Sequence, residues 1–88
     1  MDNDHELRIA RIVSIFRQAV ADSGATTTLD GRVSEEMAAV LLEKAPRSLA
    51  NYRTAGLGPS FYRIGGRVTY SLEDLARWIE AGRETTLE

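Results

Sequence analysis

Four arginines lie between residues 46 and 70, a stretch without aspartate or glutamate: Arg47, Arg53, Arg63 and Arg67. A guanidinium donates hydrogen bonds in a planar fork that matches phosphate oxygens and the major-groove edge of guanine. The flanking segments are acidic, so the net charge of −2 for the whole chain conceals a local excess of positive charge. Such local surfaces bind nucleic acid by displacing counterions. Four arginines in this stretch could equally well arise by chance. Whether they form a nucleic-acid-binding surface depends on the helices and strands that position them.

A short helix is predicted at residues 46–55, since Pro46 suits the first helical position and Gly56 suits the residue after the end. Leu49 and Tyr52, three residues apart, are expected to face inward. The opposite, solvent-facing side then carries Arg47, Ser48, Asn51 and Thr54. An arginine there can bind guanine, an asparagine can bind adenine, and a serine can contact a base or a phosphate. Arg53 is expected to reach phosphate, or alternatively to pair with an acidic residue of the preceding helix.

A β-hairpin is predicted next, because β-favouring residues 61–64 and 67–70 flank Gly65 and Gly66. Paired glycines tolerate the positive φ angles of a two-residue turn. Arg63 and Arg67 flank this turn, and we expect at least one of them to contact phosphate.

Three further helices follow from apolar spacing and end signals. Residues 6–22 carry an apolar stripe and end before Gly24. A helix begins after the capping residue Ser34 and ends near Glu43, and the last one begins at Ser71 and ends at Gly82. Residues 25–32 are predicted to be a loop. The apolar stripe of the last helix is Leu72, Leu75, Ala76 and Ile79, and the expected aromatic and leucine core residues are Leu49, Tyr52, Phe61, Tyr70 and Trp78.

Several function classes are disfavoured by the composition. The 88 residues include no cysteine and a single histidine, His5, near the N-terminus, so we expect no catalytic site, metal site, cofactor or small-molecule substrate. Gly65 and Gly66 do not lead directly into a helix, which argues against an anion site of the phosphate-loop type. No apolar run approaches membrane-spanning length, and the acidic start is unlike a signal peptide. We therefore expect a cytoplasmic, nucleoid-associated protein without membrane contact.

Residues 33–83 resemble the excisionase-type helix-turn-helix domain, a family related to MerR-type winged helices and found in phage and prophage proteins. The resemblance rests on four segments taken in order: PRSLANYR at 46–53, GLGP at 56–59, RIGGRVTY at 63–70 and EDLARWI at 73–79. It implies a mainly α fold with a small β-hairpin, here preceded by an extra N-terminal helix. It also implies that the helix at 46–55 enters the major groove and that the hairpin, the wing, lies on the backbone or in the minor groove.

The interhelical turn departs from the family pattern. Glu43 stands where the family prefers glycine, and Lys44 and Ala45 replace an apolar residue and a capping serine. Met37 stands where an acidic residue is usual. A carboxylate at Glu43 would repel phosphate unless it points away from the DNA.

The expected organisation is an N-terminal helix and loop at 1–32, a DNA-binding domain at 33–83 and a tail at 84–88. The stripe of helix 6–22 needs a partner, so we expect it to form a homodimer interface or else to complete the core of the monomer. The expected function is sequence-specific binding of double-stranded DNA by an excisionase-like protein or transcription regulator. We favour that role because the chain ends soon after the last helix. The alternatives are a protein-interaction module and the DNA-recognition domain of a phage terminase small subunit.

Overall fold

A computed structural model describes residues 3–84 of the chain. The protein is mainly helical, with a small three-stranded antiparallel sheet in the order β1-β3-β2. The elements are α1 (Asn3–Ser23), β1 (Arg32–Ser34), α2 (Glu35–Leu41), α3 (Pro46–Thr54), β2 (Tyr62–Ile64), β3 (Arg67–Ser71) and α4 (Leu72–Ala81). The predicted helices and hairpin are therefore present. The predicted tail at 84–88 lies outside the described residues except for Glu84.

The long helix α1 packs mainly against α4 of the same chain. Ile9, Phe16 and Val20 of its predicted stripe are buried, and the last two join the central core. The apolar stripe is thus covered within the monomer. An ion pair between Glu6 and Arg77, 3.1 Å apart, adds a polar contact between the two helices. None of the helices within residues 3–84 is long and apolar enough to cross a membrane.

The stripe predicted for α4 is wrong at its last position. Ile79 is 38% exposed, whereas Glu80 is 7% exposed and accepts a hydrogen bond from Nε of Arg8. Successive helical residues are about 100° apart, so the side of α4 that meets α1 includes position 80 rather than 79. Arg8 provides the partner that a buried carboxylate requires.

Strand β1 is an element that the sequence does not predict. Residues 25–32 were expected to form a loop, but Arg32 begins a strand that pairs antiparallel with β3, with Val33 opposite Tyr70. Three residues are too few to show the alternation of a strand, so this pairing depends on tertiary contacts. The predicted domain boundary between residues 32 and 33 consequently falls inside β1.

Helix α2 begins and ends through local hydrogen bonds. Oγ of Ser34 accepts a hydrogen bond from the backbone N–H of Met37, as the capping prediction requires. At the other end Glu43 adopts φ of +57°, and the N–H of Lys44 donates to the carbonyl of Ala39. This is the hydrogen bond of a Schellman motif, whose left-handed residue is usually glycine. Glu43 therefore occupies a conformation that favours the glycine of the family pattern.

Helix α3 follows after four residues and buries Leu49 completely. Pro46 is its first residue, and Ala45 precedes it with extended backbone but no side-chain cap. The expectation that Tyr52 belongs to the core is wrong, because its side chain is 36% exposed. Its ring lies at the edge of the domain, between the Trp78 ring at 5.9 Å and the ammonium of Lys44 at 5.0 Å.

The hairpin has the predicted turn and register. Gly65 and Gly66 have φ of +60° and +79°, as a type I′ turn requires. Phe61 lies before β2 rather than in it and is 39% exposed, so its predicted place in the core is also wrong. Tyr70 is fully buried as predicted. Trp78 is only half-buried, and its Nε1 donates a hydrogen bond to the carbonyl of Leu57.

Replacing Glu43 by glycine should stabilise the fold by about 0.5–1 kcal/mol. A left-handed backbone costs an L residue about 1–2 kcal/mol, partly offset by the larger entropy that glycine loses on folding. Urea denaturation measures the change in the free energy of unfolding. Glu43→Ala is the matched control, because it removes the same carboxylate but keeps Cβ. Equal stabilities for the two variants would contradict the assignment of strain to this residue.

Candidate nucleic-acid interface

The outward face of α3 carries four of the predicted contact residues. Arg47, Ser48, Asn51 and Thr54 are all exposed, on the side of the helix opposite the buried Leu49. Helix α3 contains no acidic residue. The Thr54 hydroxyl donates to the carbonyl of Asn51, so it presents mainly an acceptor to the outside. The remaining polar groups point at solvent and are available to a ligand.

Arg53 has a different environment from the other predicted contact residues. Its Nε and Nη2 donate to the two carboxylate oxygens of Glu35 at 2.8 and 3.1 Å. The Arg53 side chain is only 15% exposed. Arg53 therefore forms the ion pair with the preceding helix that the sequence offered as an alternative, and its contact with phosphate stays a prediction. The cause is geometric, because the position lies on the flank of α3 that faces the start of α2.

The same carboxylate also binds the sheet. The hydroxyl of Tyr70 donates to Glu35 at 2.7 Å, so a single side chain connects α2, α3 and β3. The hydrogen bond from Arg53 lowers the pKa of Glu35, against an opposing effect of burial, and the Tyr70 hydroxyl lowers it further. Burial, together with the neighbouring carboxylate, raises the pKa of Tyr70. Glu35 is therefore held as a carboxylate, and Tyr70 as a neutral donor.

Arg63 and Arg67 lie on opposite faces of the β2–β3 hairpin. Arg63 is opposite Val68 in the register, and Arg67 is opposite Ile64. Directly paired residues share a face and successive residues alternate, so the two arginines point to different sides. The Arg63 guanidinium lies 5.8 Å from the centroid of the Phe61 ring, and Arg53 lies at the same distance from that ring. Phe61 thus links the hairpin to the end of α3.

The positive charge of the candidate interface is smaller than the sequence suggests but is still present. Arg53 is neutralised by Glu35. Within residues 3–84, Arg47, Arg63 and Arg67 form no ion pair with a carboxylate. All three are exposed, one on α3 and two on the hairpin.

Two residues with structural roles at the site were not identified from the sequence. Glu35 is not identified from the sequence as the partner of Arg53, because no local spacing rule connects two residues 18 positions apart. Arg32 was placed in a loop, yet it donates to Asp30 and to the Thr69 hydroxyl, and it lies 5.1 Å from the centroid of the Tyr62 ring. The sequence offers a pair between Arg53 and an acidic residue of the preceding helix as an alternative, but it does not show which acidic residue.

Replacing Glu35 by glutamine should lower the free energy of unfolding by about 1–3 kcal/mol at neutral pH. The change leaves Arg53 without its charged partner in a mostly buried site. Glu36→Gln is the control, because Glu36 lies in the same first turn of α2 and is exposed. A loss no larger than that of the control would contradict the role assigned to Glu35.

The ion pair between Glu35 and Arg53 also predicts that the free energy of unfolding depends on pH. Because folding lowers the pKa of Glu35, its stabilising effect is present above the pKa of the unfolded carboxyl, about 4.3. The effect is lost as the pH falls through the lower pKa of the folded state. Urea denaturation from pH 7 to pH 3 should therefore show the wild type converging on Glu35→Gln. A difference independent of pH would contradict the ion pair.

Comparison with known protein-family models, curated proteins and solved structures finds no match to this chain.

Proposed function

We propose that the chain binds double-stranded DNA as a winged helix-turn-helix, with α3 in the major groove and the β2–β3 hairpin as the wing. The observation that carries the proposal is the outward face of α3, where Arg47, Ser48 and Asn51 are exposed on a helix free of acidic residues. A helix about 10–12 Å in diameter fits a major groove about 12 Å wide. Arg47 would bind guanine, Asn51 would bind adenine, and Ser48 would contact a base or a phosphate.

The arrangement of the short elements supports the same proposal. The turn between α2 and α3 is only four residues long, and a glycine-turned hairpin follows α3. The wing carries Arg63 on one face and Arg67 on the other, so a guanidinium is available on either side of a hairpin that enters a groove or lies along the backbone. Phosphate contacts of this kind set the register of a protein on the duplex, and base contacts supply specificity.

A homodimer through residues 6–22 has less support than the DNA interface. The apolar stripe that suggested it is buried against the same chain, mainly on α4. Pairing through α1 would have to use its other side, where Leu7 is 64% exposed and Ile15 is 59% exposed. A monomeric mass measured in solution at micromolar protein concentration would contradict the homodimer.

A protein-interaction module is the second candidate, and one observation favours it. Exposed apolar side chains lie at the end of α3, where Leu57 is 66% exposed and Tyr52 36%. Trp78 of α4 contacts both residues, and Ile79, which follows it in the sequence, is 38% exposed.

The DNA-binding proposal covers three biological roles, namely excisionase, transcription regulator and terminase small subunit. These roles share the DNA interface and differ in the other partners of the protein.

Titration of a random-sequence duplex at low salt separates the two candidates. DNA binding predicts that the logarithm of the affinity falls linearly with the logarithm of the salt concentration, because cationic contacts release counterions. Absence of binding, or binding without a salt slope, would contradict the DNA proposal and favour the protein-interaction module.

Arg47→Ala should weaken binding to the preferred duplex by about 1–3 kcal/mol and relax the preference at one base pair. The preferred duplex is obtained by selection from a random pool. Arg11→Ala is the matched control, since Arg11 is an exposed arginine on α1 and its loss changes the net charge equally. Equal effects of the two substitutions would show that Arg47 acts only through charge.

Arg67→Ala should weaken all duplexes alike and reduce the magnitude of the salt slope by about 1, as expected for one lost phosphate contact. The selected duplex and a scrambled duplex are compared over a series of salt concentrations. Unchanged affinity and slope for both would show that the hairpin is structural only.

A further inference from the structure

A small cavity lies on the face of the sheet that carries Arg67. It has a volume of about 130 Å³ and is lined by the threonines at 26–28 together with Arg32, Ser34, Arg67 and Thr69. The strand register explains why the sheet residues of this lining lie together. Ser34 of β1 is paired with Thr69 of β3, and Thr69 is also paired with Tyr62 of β2. Ile64, two residues after Tyr62, is paired with Arg67. These residues therefore point to one face, away from the buried Val33 and Tyr70.

Two guanidinium groups line this threonine cavity. Arg32 is fixed, because Nε donates to Asp30 at 3.0 Å, Nη1 donates to the Thr69 hydroxyl, and the group lies over the Tyr62 ring. Arg67 has no hydrogen-bond or ion-pair partner for its side chain among residues 3–84. No acidic side chain is among the lining residues. The cavity thus combines one positioned cation with one that is available to a ligand.

The hydroxyl groups of the cavity have hydrogens to donate. Oγ of Ser34 accepts from the Met37 N–H, and Oγ1 of Thr69 accepts from Arg32, so each keeps its O–H as a donor. Thr26 and Thr27 are exposed. Thr28 is the exception, because its hydroxyl donates to Asp30. Hydroxyl and guanidinium donors around a space without carboxylates suit an oxyanion.

We propose that the threonine cavity binds one phosphate of the DNA backbone. The DNA-binding surface would then extend from the hairpin tip along the outer face of the sheet to residues 26–28. This inference rests on the proposed function. The charge favours a phosphodiester, because Asp30 compensates Arg32 and leaves about one net positive charge for a monoanionic group. Arg67 belongs both to the cavity and to the wing, so the cavity is continuous with the surface already proposed to meet DNA.

A double-mutant cycle tests whether the threonines and Arg67 hold the same phosphate. Thr26→Val with Thr27→Val removes two exposed hydroxyls at nearly constant shape, and the affinity for both selected and scrambled duplexes should fall roughly 3- to 10-fold. When the two threonine substitutions are combined with Arg67→Ala, the fold-loss of duplex affinity should be clearly smaller than the product of the two separate fold-losses. The reason is that groups that bind one ligand together are coupled. Arg63→Ala, on the opposite face, is the matched control and should combine multiplicatively.

The outcomes separate this inference from the proposed function. Wild-type protein that binds no duplex overturns both. Duplex binding by the wild type, with multiplicative effects of the threonine and Arg67 substitutions, overturns the cavity alone. Inorganic phosphate at constant ionic strength is titrated separately while the amide resonances of residues 26–28 are followed. If phosphate shifts them and the duplex cycle shows no coupling, the cavity holds a free anion and the duplex contact is overturned.

Discussion

The carboxylate of Glu35 is the contact on which the arrangement of the candidate interface depends. Helix α2 has seven residues and α3 has nine, lengths at which isolated helices are unstable in water. Their positions must be set by tertiary contacts. Glu35 supplies one that is directional, because it accepts two hydrogen bonds from Arg53 on α3 and one from Tyr70 on β3. The buried side chain of Leu49 fixes the rotation of α3, and Glu35 ties the helix to the strand that carries the hairpin. The helix face and the hairpin are thereby held in one geometry.

This arrangement also divides the charges of the chain between two sides. Three of the carboxylates on α1 and α4 are ion-paired: Arg77 binds Glu6 and Glu73, and Arg8 binds Glu80. Around α3 and the hairpin the balance is reversed, since Glu35 neutralises Arg53 while the other three arginines of residues 46–70 point to solvent. A net acidic chain can therefore present a basic surface. Since Arg53 is mostly buried and ion-paired with Glu35, its loss should lower the free energy of unfolding.

The sequence predicted elements with strong local signals and failed where the cause was distant in the chain. The capping hydroxyl of Ser34, the start of the last helix at Ser71 and the paired glycines of the hairpin were predicted, because each depends on only a few neighbouring residues. Strand β1 was missed because three residues carry no period. The acidic partner of Arg53 was not identified as Glu35 because the turn between α2 and α3 brings together residues 18 apart. Among the candidate contacts, the exposed face of α3 was predicted correctly from spacing. Tyr52 and Phe61 were misplaced because a core this small covers only part of each ring.

The proposal places duplex DNA on α3 and the hairpin rather than on the α1–α4 side. Following the backbone amide resonances of the ¹⁵N-labelled protein during titration with a duplex tests this placement residue by residue. The largest shifts and line broadening are expected at residues 46–54 and 62–68, with α1 and α4 little affected. Perturbations confined to α1 and α4, or to Leu57 and Ile79, would contradict the placement.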